Sequence, residues 1–221
     1  MSTIDGSELL RPGLLQGVSL LLVGPRTPAQ PAGDLGAAVQ GACAELGARV
    51  LTCTAASETE PGGGEAAMDE AVAGAVAEAG RLELLVVDGA GLFAQQDESG
   101  ARMRGAAAGG RALRACLDLT WTATRAVVKL AFLPEGNGGR IVFLAPAPDA
   151  GEHADAARAG LENLGRTLSI EWARYAITLL TLAPGTGTAP GEVAALTAYL
   201  ASPAGAFFSG CLMDLRGLGA K

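Results

Sequence analysis

One stretch, residues 138–185, constrains the fold more than any other part of the chain. Within it, the apolar run at residues 141–144 is typical of a short strand, residues 160–175 of a helix, and residues 176–182 of a second strand. The predicted helix carries apolar side chains at helical spacing, at Leu161, Leu164, Leu168 and Trp172. The order strand, helix, strand predicts an α/β protein.

The same order of elements occurs near the start of the chain. Residues 18–23 are continuously apolar, which is typical of a central parallel strand buried on both faces. Gly24 ends this run, residues 35–46 have helical spacing, and residues 49–53 indicate the next strand. The resulting strand–helix–strand unit is expected to be right-handed.

The remaining elements complete one domain. We predict helices at residues 68–79 and 112–132 and a strand at residues 81–87. Residues 57–65 are expected to form an exposed loop, and residues 95–110 an irregular segment. We predict a single Rossmann-like domain over residues 1–221, with residues 1–16 as an N-terminal extension. Its expected architecture is a three-layer α/β sandwich around a mostly parallel, doubly wound sheet.

Composition and charge exclude several functional classes. Hydrophobic residues make up 49% of the 221 residues and charged residues 18%, as in a globular protein with a substantial core. The net charge is −7 and no basic cluster occurs, so nucleic acid and anionic membranes are not expected partners. No apolar run has the length of a membrane span.

The cysteine and histidine content points to a cytoplasmic protein without a metal site. The N-terminus lacks the basic and apolar regions of a signal peptide. The four cysteines are scattered and indicate reduced thiols. With His153 as the one histidine, a metal centre is not expected.

Three motifs resemble the short-chain dehydrogenases/reductases. GRLELLVVDGAG is similar to the family's GRLDxLVNNAG, and GRIVFLAP to its GRIVxISS. The last segment, GEVAALTAYLASPAGAFFSGCLMDLRG, resembles the closing helix and strand, EVAxxVxFLxSxxAxxxTGxxxxVDGG. The resemblance covers residues 18–217 and is most specific at residues 139–142, 159–185 and 193–217. It implies a Rossmann-like oxidoreductase fold.

The dinucleotide-binding loop of that family, TGxxxGxG, is altered in this chain. The resemblance places its three glycines at Gly24, Asp34 and Gly36, with prolines in a lengthened loop between the first two. A carboxylate at Asp34 would face the phosphates, and proline lacks the N–H that a phosphate needs. Thr54 stands where the family reads the ribose. We therefore expect no cofactor on this chain and NAD(P) on an active partner.

The catalytic positions of the family are also replaced. Aligned with its motifs, Thr120 stands at the asparagine, Ala145 and Pro146 at the serine, Ala154 at the tyrosine and Arg158 at the lysine. Alanine cannot donate the proton that carbonyl reduction requires, and arginine is a poor proton relay. Arg158 could still hold a ribose or a phosphate.

Two segments of the family are missing by this alignment. The space after the second strand is too short for the strand and helix that the family usually has there. After Pro184 and Gly185, the family's substrate lid is reduced to a few residues before the last helix.

The resemblance implies a structural role in a complex. The family assembles through its long helices after the fourth and fifth strands and through its last helix and strand, and these parts are the best kept here. We therefore expect a catalytically inactive subunit, in a hetero-oligomer such as a heterotetramer, that stabilises an active homologous dehydrogenase. The expected interface residues are Trp121, Val128, Leu164, Leu168, Trp172, Phe207, Phe208 and Met213. Mixed active and inactive pairs occur in this family, one of them acting on a benzylsuccinyl-CoA-type substrate in anaerobic toluene breakdown.

Two alternatives stay open from the sequence. The first is an active NAD(P)-dependent oxidoreductase with an unusual site around His153 and Arg158, since a histidine beside Glu152 and Asp155 can act as a general base. The second is a homodimeric binding or regulatory protein that uses the vacated pocket. Core packing and an interface role are both open for Trp121 and Trp172.

Overall fold

The structure is a computed structural model that describes residues 10–25, 34–55, 63–101 and 106–217. Within residues 96–101 and 106–109, and at residue 135, only the backbone is described. Most of the predicted loop at residues 57–65 lies outside the described residues, and so does most of the proline-containing loop after Gly24.

A single six-stranded sheet forms the centre of the molecule. Its strands are β1 (Ser19–Gly24), β2 (Arg49–Thr54), β3 (Leu84–Val87), β4 (Gly139–Leu144), β5 (Ile177–Ala183) and β6 (Leu212–Asp214). The spatial order is β2-β1-β3-β4-β5-β6, and every neighbouring pair is parallel. The predicted α/β fold with a doubly wound sheet is thereby confirmed.

Helices connect the strands and cover both faces of the sheet. They are α1 (Leu35–Glu45), α2 (Glu65–Ala79), α3 (Gly89–Ala101), α4 (Ala106–Val127), α5 (Ala154–Trp172) and α6 (Pro190–Ala201). A π-helical turn (Val128–Phe132) extends α4, and 3-10 turns (Pro134–Gly136, Ala173–Tyr175, Pro203–Phe207) precede β4, follow α5 and follow α6.

Each face of the sheet has its own apolar core, because successive side chains of a strand point to opposite faces. In β1, Leu21 and Val23 pack toward α2, α4 and α5, whereas Leu20 and Leu22 pack toward α1 and α6. The central strands are therefore apolar along their whole length, which explains the continuous runs in the sequence.

Several predicted boundaries were wrong. The strand predicted at residues 81–87 begins at Leu84. Residues 95–101 are helical and continue α3, and residues 106–110 are helical because three alanines favour the helix strongly enough to outweigh two glycines. Helix α5 begins at Ala154, six residues earlier than the apolar spacing indicated, since its first turn carries alanine and no large apolar side chain.

The two expected deletions can be located on the sheet. Strand β2 forms the edge beside β1, and residues 63 and 64 lead directly into α2. Only residues 184–189 separate β5 from α6, so this connection is too short to form a lid. Among the described residues, no helix is long and apolar enough to cross a membrane.

Close packing of α5 on the sheet depends on Gly165. A Cβ at this position would lie 2.9 Å from Thr181 Oγ1 and 3.0 Å from Leu179 Cδ2, both in β5. We expect Gly165→Ala to lower the free energy of unfolding by about 1–3 kcal/mol, since these neighbours must shift. Urea unfolding measures the change.

Gly41, in α1, provides the matched control. No heavy atom lies within 4 Å of a Cβ placed there. Gly41→Ala should raise the free energy of unfolding by about 0.5–1 kcal/mol, because alanine loses less conformational entropy in a helix. Equal effects of the two substitutions would contradict the packing assigned to Gly165.

Candidate functional site

The candidate site lies at the carboxyl edge of the sheet, beside the N-terminus of α1. Asp34 is the N-cap of this helix, and its Oδ1 accepts a hydrogen bond from the Ala37 N–H at 2.9 Å. In parallel α/β sheets, phosphate groups bind at such a helix N-terminus, because its free N–H groups point toward the ligand. Here a side chain of the protein already takes one of these N–H groups.

A second carboxylate, Asp88, lies at the same place. It directly follows β3, and its Oδ1 accepts from the Gly91 N–H in the first turn of α3 at 2.9 Å. The carboxylate also lies against Gly36 in the first turn of α1, since a Cβ at Gly36 would be 2.8 Å from its Oδ2. Asp88 is 2% exposed. It thus joins the N-terminal turns of two helices.

Burial raises the pKa of Asp88 to about 6. The hydrogen bond from Gly91 opposes this shift, because it stabilises the ionised form, whereas the nearby charge of Asp34 adds to it. The hydrogen bond from Gly91 therefore offsets part of the free-energy cost of burying the ionised carboxylate.

Sequence reasoning missed the position of Asp88 in the site. The available signal was a carboxylate directly after a buried parallel strand and before a glycine. Its contact with Gly36 joins elements that are distant in the sequence, so no local pattern indicated it.

Two cavities meet at these carboxylates. The first, of about 310 Å³, lies between Asp34, Asp88 and the ends of β4 and β5. The second, of about 260 Å³, lies between β1, α1 and β2 and includes Thr54, the position where a ribose would be read. Asp34 and Asp88 line both cavities, so any ligand that spanned the two would pass between the carboxylates.

The positions of the family's serine, tyrosine and asparagine carry no group suited to proton transfer. Ala145 is fully buried at the end of β4, and Ala154 is 1% exposed at the start of α5. Thr120 is buried in α4, and its Oγ1 has no hydrogen-bond partner among the described residues. None of these three residues can act as an acid or a base near neutral pH.

Arg158 connects the ends of two strands. Its Nη1 donates to the carbonyl oxygens of Pro146 at 2.6 Å and of Pro184 at 2.7 Å, directly beyond β4 and β5. Asp214 lies 3.8 Å and Asp155 4.0 Å from the guanidinium, which is 8% exposed. The expectation that Arg158 could hold a ribose or a phosphate does not fit this geometry, because two backbone carbonyls occupy its Nη1 and two carboxylates lie beside its other nitrogens.

The histidine that could replace the tyrosine stands outside this arrangement. His153 precedes α5 with a left-handed backbone conformation (φ 70°). Its side chain is 39% exposed, and its Nε2 lies 3.7 Å from Glu152. The only carboxylate paired with this ring in the described structure is thus a solvent-exposed one, so the pair lacks the enclosed setting of a general base.

The expected interface residues fall into three groups. Trp121 of α4 and Trp172 of α5 stack with their ring centroids 6.4 Å apart and 16° between the ring planes, and Trp121 is 39% exposed. Leu164 is partly buried and packs against the apolar core. Val128 and Leu168, in contrast, lie in the protein's own core at 3% and 4% exposure, so they cannot form a contact surface.

The third group lies near β6, an edge strand of the sheet. Phe207 is 90% exposed. Phe208 packs edge-to-face against Tyr199, with centroids 6.4 Å apart, and Met213 of β6 is partly exposed. An apolar surface therefore exists at this end of the molecule as well.

Solved structures with the same fold include several dehydrogenases. No protein-family model matches this sequence. A citronellol catabolism dehydrogenase from Pseudomonas aeruginosa PAO1 has a TM-score of 0.72 and 25% identity, over 94% of this chain and 96% of that one. A short-chain dehydrogenase from Mycobacterium smegmatis gives 0.71 and 24%, over 97% and 96%. A hydroxysteroid dehydrogenase from Escherichia coli gives 0.69 and 15%, over 93% and 98%.

The chain has the fold of the short-chain dehydrogenases/reductases. That fold implies a dinucleotide whose phosphates lie at the N-terminus of the first helix. The residues present do not fit such a cofactor, because Asp34 accepts from the Ala37 N–H and the Asp88 carboxylate lies against Gly36, where the phosphates would bind.

The raised pKa of Asp88 predicts a pH-dependent stability difference. The pKa of Asp88 is about 6 in the folded protein, whereas the ordinary pKa of this side chain is 3.8. The protonated Asp88 therefore makes its full contribution to the free energy of unfolding below pH 4, and this contribution is lost as the pH rises through 6. The Asp88→Asn variant has no carboxyl group at this position and should not lose this stability. Its free energy of unfolding relative to that of the wild type should therefore rise by on the order of 2–3 kcal/mol between pH 4 and pH 7.5. Urea unfolding across this range checks it, and a constant difference would contradict it.

The buried hydrogen bonds of Arg158 predict a large effect on stability. Arg158→Ala should lower the free energy of unfolding by about 2–4 kcal/mol, since two carbonyl groups lose a charged donor. Arg166→Ala is the matched control on the same helix. Its guanidinium is 61% exposed and pairs with Glu162 at 2.8 Å, and such a pair contributes about 0.5 kcal/mol or less. Comparable losses in the two variants would show that Arg158 is not a buried connection.

Proposed function

We propose that this chain is a catalytically inactive subunit that assembles with an active, homologous NAD(P)-dependent dehydrogenase in the cytoplasm. The observation that carries the proposal is the exposed Trp121–Trp172 stack on α4 and α5. In the family that the sequence resembles, these two helices meet a neighbouring subunit. A stacked pair of large apolar rings at this place is typical of the buried centre of an interface.

The chemistry of the site supports the inactive part of the proposal. Carbonyl reduction by this fold requires a bound nicotinamide, a proton donor and groups that hold the carbonyl oxygen. Ala154 and Ala145 supply neither of the last two, and Arg158 is bonded to the backbone. The nicotinamide would belong to the active partner.

The two exposed apolar regions support assembly through more than one surface. The tryptophan pair lies on α4 and α5, whereas Phe207 and Met213 lie at the β6 edge. A subunit with two separate contact surfaces can take part in a mixed assembly larger than a dimer. The family's pairs of active and inactive subunits have this form, and they motivate the proposal of a heterotetramer.

The test is capture of the partner from the native host. A tagged chain should retain a homologue of the same fold that carries the tyrosine and lysine of active members, identified by mass spectrometry. Trp121→Ala combined with Trp172→Ala should reduce its recovery at least tenfold, because loss of a central aromatic pair costs more than about 2 kcal/mol of binding free energy.

Leu133→Ala serves as the matched control, since Leu133 is as exposed as Trp121, at 39%, but lies beyond the end of α4. It should leave recovery unchanged. A well-behaved homodimer that captures no homologue would contradict the partner proposal and favour a homodimeric binding protein. Carbonyl reduction by the isolated chain would contradict the inactive role.

A further inference from the structure

Two carboxylates of the chain itself, Asp34 and Asp88, lie at the N-terminus of α1. Asp34 accepts from the Ala37 N–H, and the carboxylate of Asp88 lies against the backbone of Gly36. The N–H groups of Gly36 and Ala37 belong to the helix's first turn and have no carbonyl partner within the helix. Two of the free N–H groups of this turn thus lie beside carboxylates of the chain itself.

Asp88 also occupies the space next to these N–H groups. A Cβ at Gly36 would lie 2.8 Å from Asp88 Oδ2, and a Cβ at Gly91 would lie 2.5 Å from the same oxygen. The absence of side chains at both glycines lets the carboxylate lie directly over the first turns of α1 and α3. An anion at this point interacts favourably with both helix N-termini.

Pro25 closes the site from the side of β1. Its ring carbon Cδ lies 2.9 Å from the Cβ position of Gly91, so the proline packs over the first turn of α3. Proline has no backbone N–H. At this point the chain that follows β1 therefore adds bulk to the site and no donor for a phosphate.

We propose that Asp88, together with Asp34, is a resident anion that takes the place of the dinucleotide phosphates and excludes NAD(P) from this chain. A pyrophosphate would have to displace both carboxylates from their N–H groups and would meet like charge on arrival. The dinucleotide is thus excluded by specific contacts as well as by the lost catalytic residues. This inference deepens the inactive role proposed above, and it names the residues that impose it.

The test neutralises the two carboxylates and measures phosphate binding. Asp88→Asn retains an oxygen for the Gly91 N–H, and Asp34→Ser retains an N-cap for α1. Inorganic pyrophosphate is titrated by calorimetry, and NADH by its fluorescence. We expect no saturable binding to the wild type below about 1 mM, and at least a tenfold gain in affinity for both probes in the double variant, corresponding to about 1.4 kcal/mol.

A charge-matched control separates local from global electrostatics. Glu45→Gln with Glu70→Gln removes the same two negative charges from exposed positions in α1 and α2. This variant should bind neither probe. A gain equal to that of the double variant would overturn the proposal, because net charge alone would then explain it.

Other outcomes are equally decisive. Saturable NADH binding by the wild type at micromolar concentration would overturn the proposal, as would a folded double variant with unchanged affinity. If Asp88→Asn does not fold, Asp34→Ser alone must show part of the gain. Partner capture is measured separately, so a failure of the subunit proposal leaves this result intact, and the reverse also holds.

Discussion

The site depends on one buried carboxylate that joins two helices. Asp88 follows the central strand β3 and binds the first turns of α1 and α3. A carboxylate that is 2% exposed is costly to bury, and its pKa rises as a result. The backbone N–H groups offset this cost. Carboxylates of the chain itself thus lie at the helix N-termini that a Rossmann-like fold usually offers to a ligand.

Arg158 shows the same change of role on the other side of the cavity. A cation at the position of a ribose-binding lysine instead donates to the carbonyl groups of Pro146 and Pro184. These carbonyls end β4 and β5, the two strands that would border a substrate. Both charged groups of the site thus have hydrogen-bond partners within the chain, and neither is free to act on a ligand. The fold of the short-chain dehydrogenases is thus kept, while the charged groups at this edge of the sheet make contacts within the chain.

The molecular surface carries large apolar side chains that no other part of the described structure covers. Trp121 and Trp172 stack on each other but remain partly exposed, and Phe207 is almost fully exposed. Large apolar groups in such positions gain free energy when another surface covers them. The polar groups of the site, in contrast, already have partners. This contrast between a filled site and uncovered apolar surfaces is the physical basis for proposing an assembly role.

Much of this protein could be predicted from the sequence, because local patterns carry the information. Continuous apolar runs predicted the central strands, helical spacing predicted most helices, and residue identity alone showed that Ala145 and Ala154 cannot transfer protons. The start of α5 and the helical residues in 95–110 were missed, since apolar spacing is weak there. Only the tertiary structure decided that Asp88 reaches Gly36, that Arg158 bonds to Pro146 and Pro184, and that Leu168 is buried while Trp121 is exposed. These outcomes depend on partners from distant parts of the chain, which folding brings together and no local pattern records.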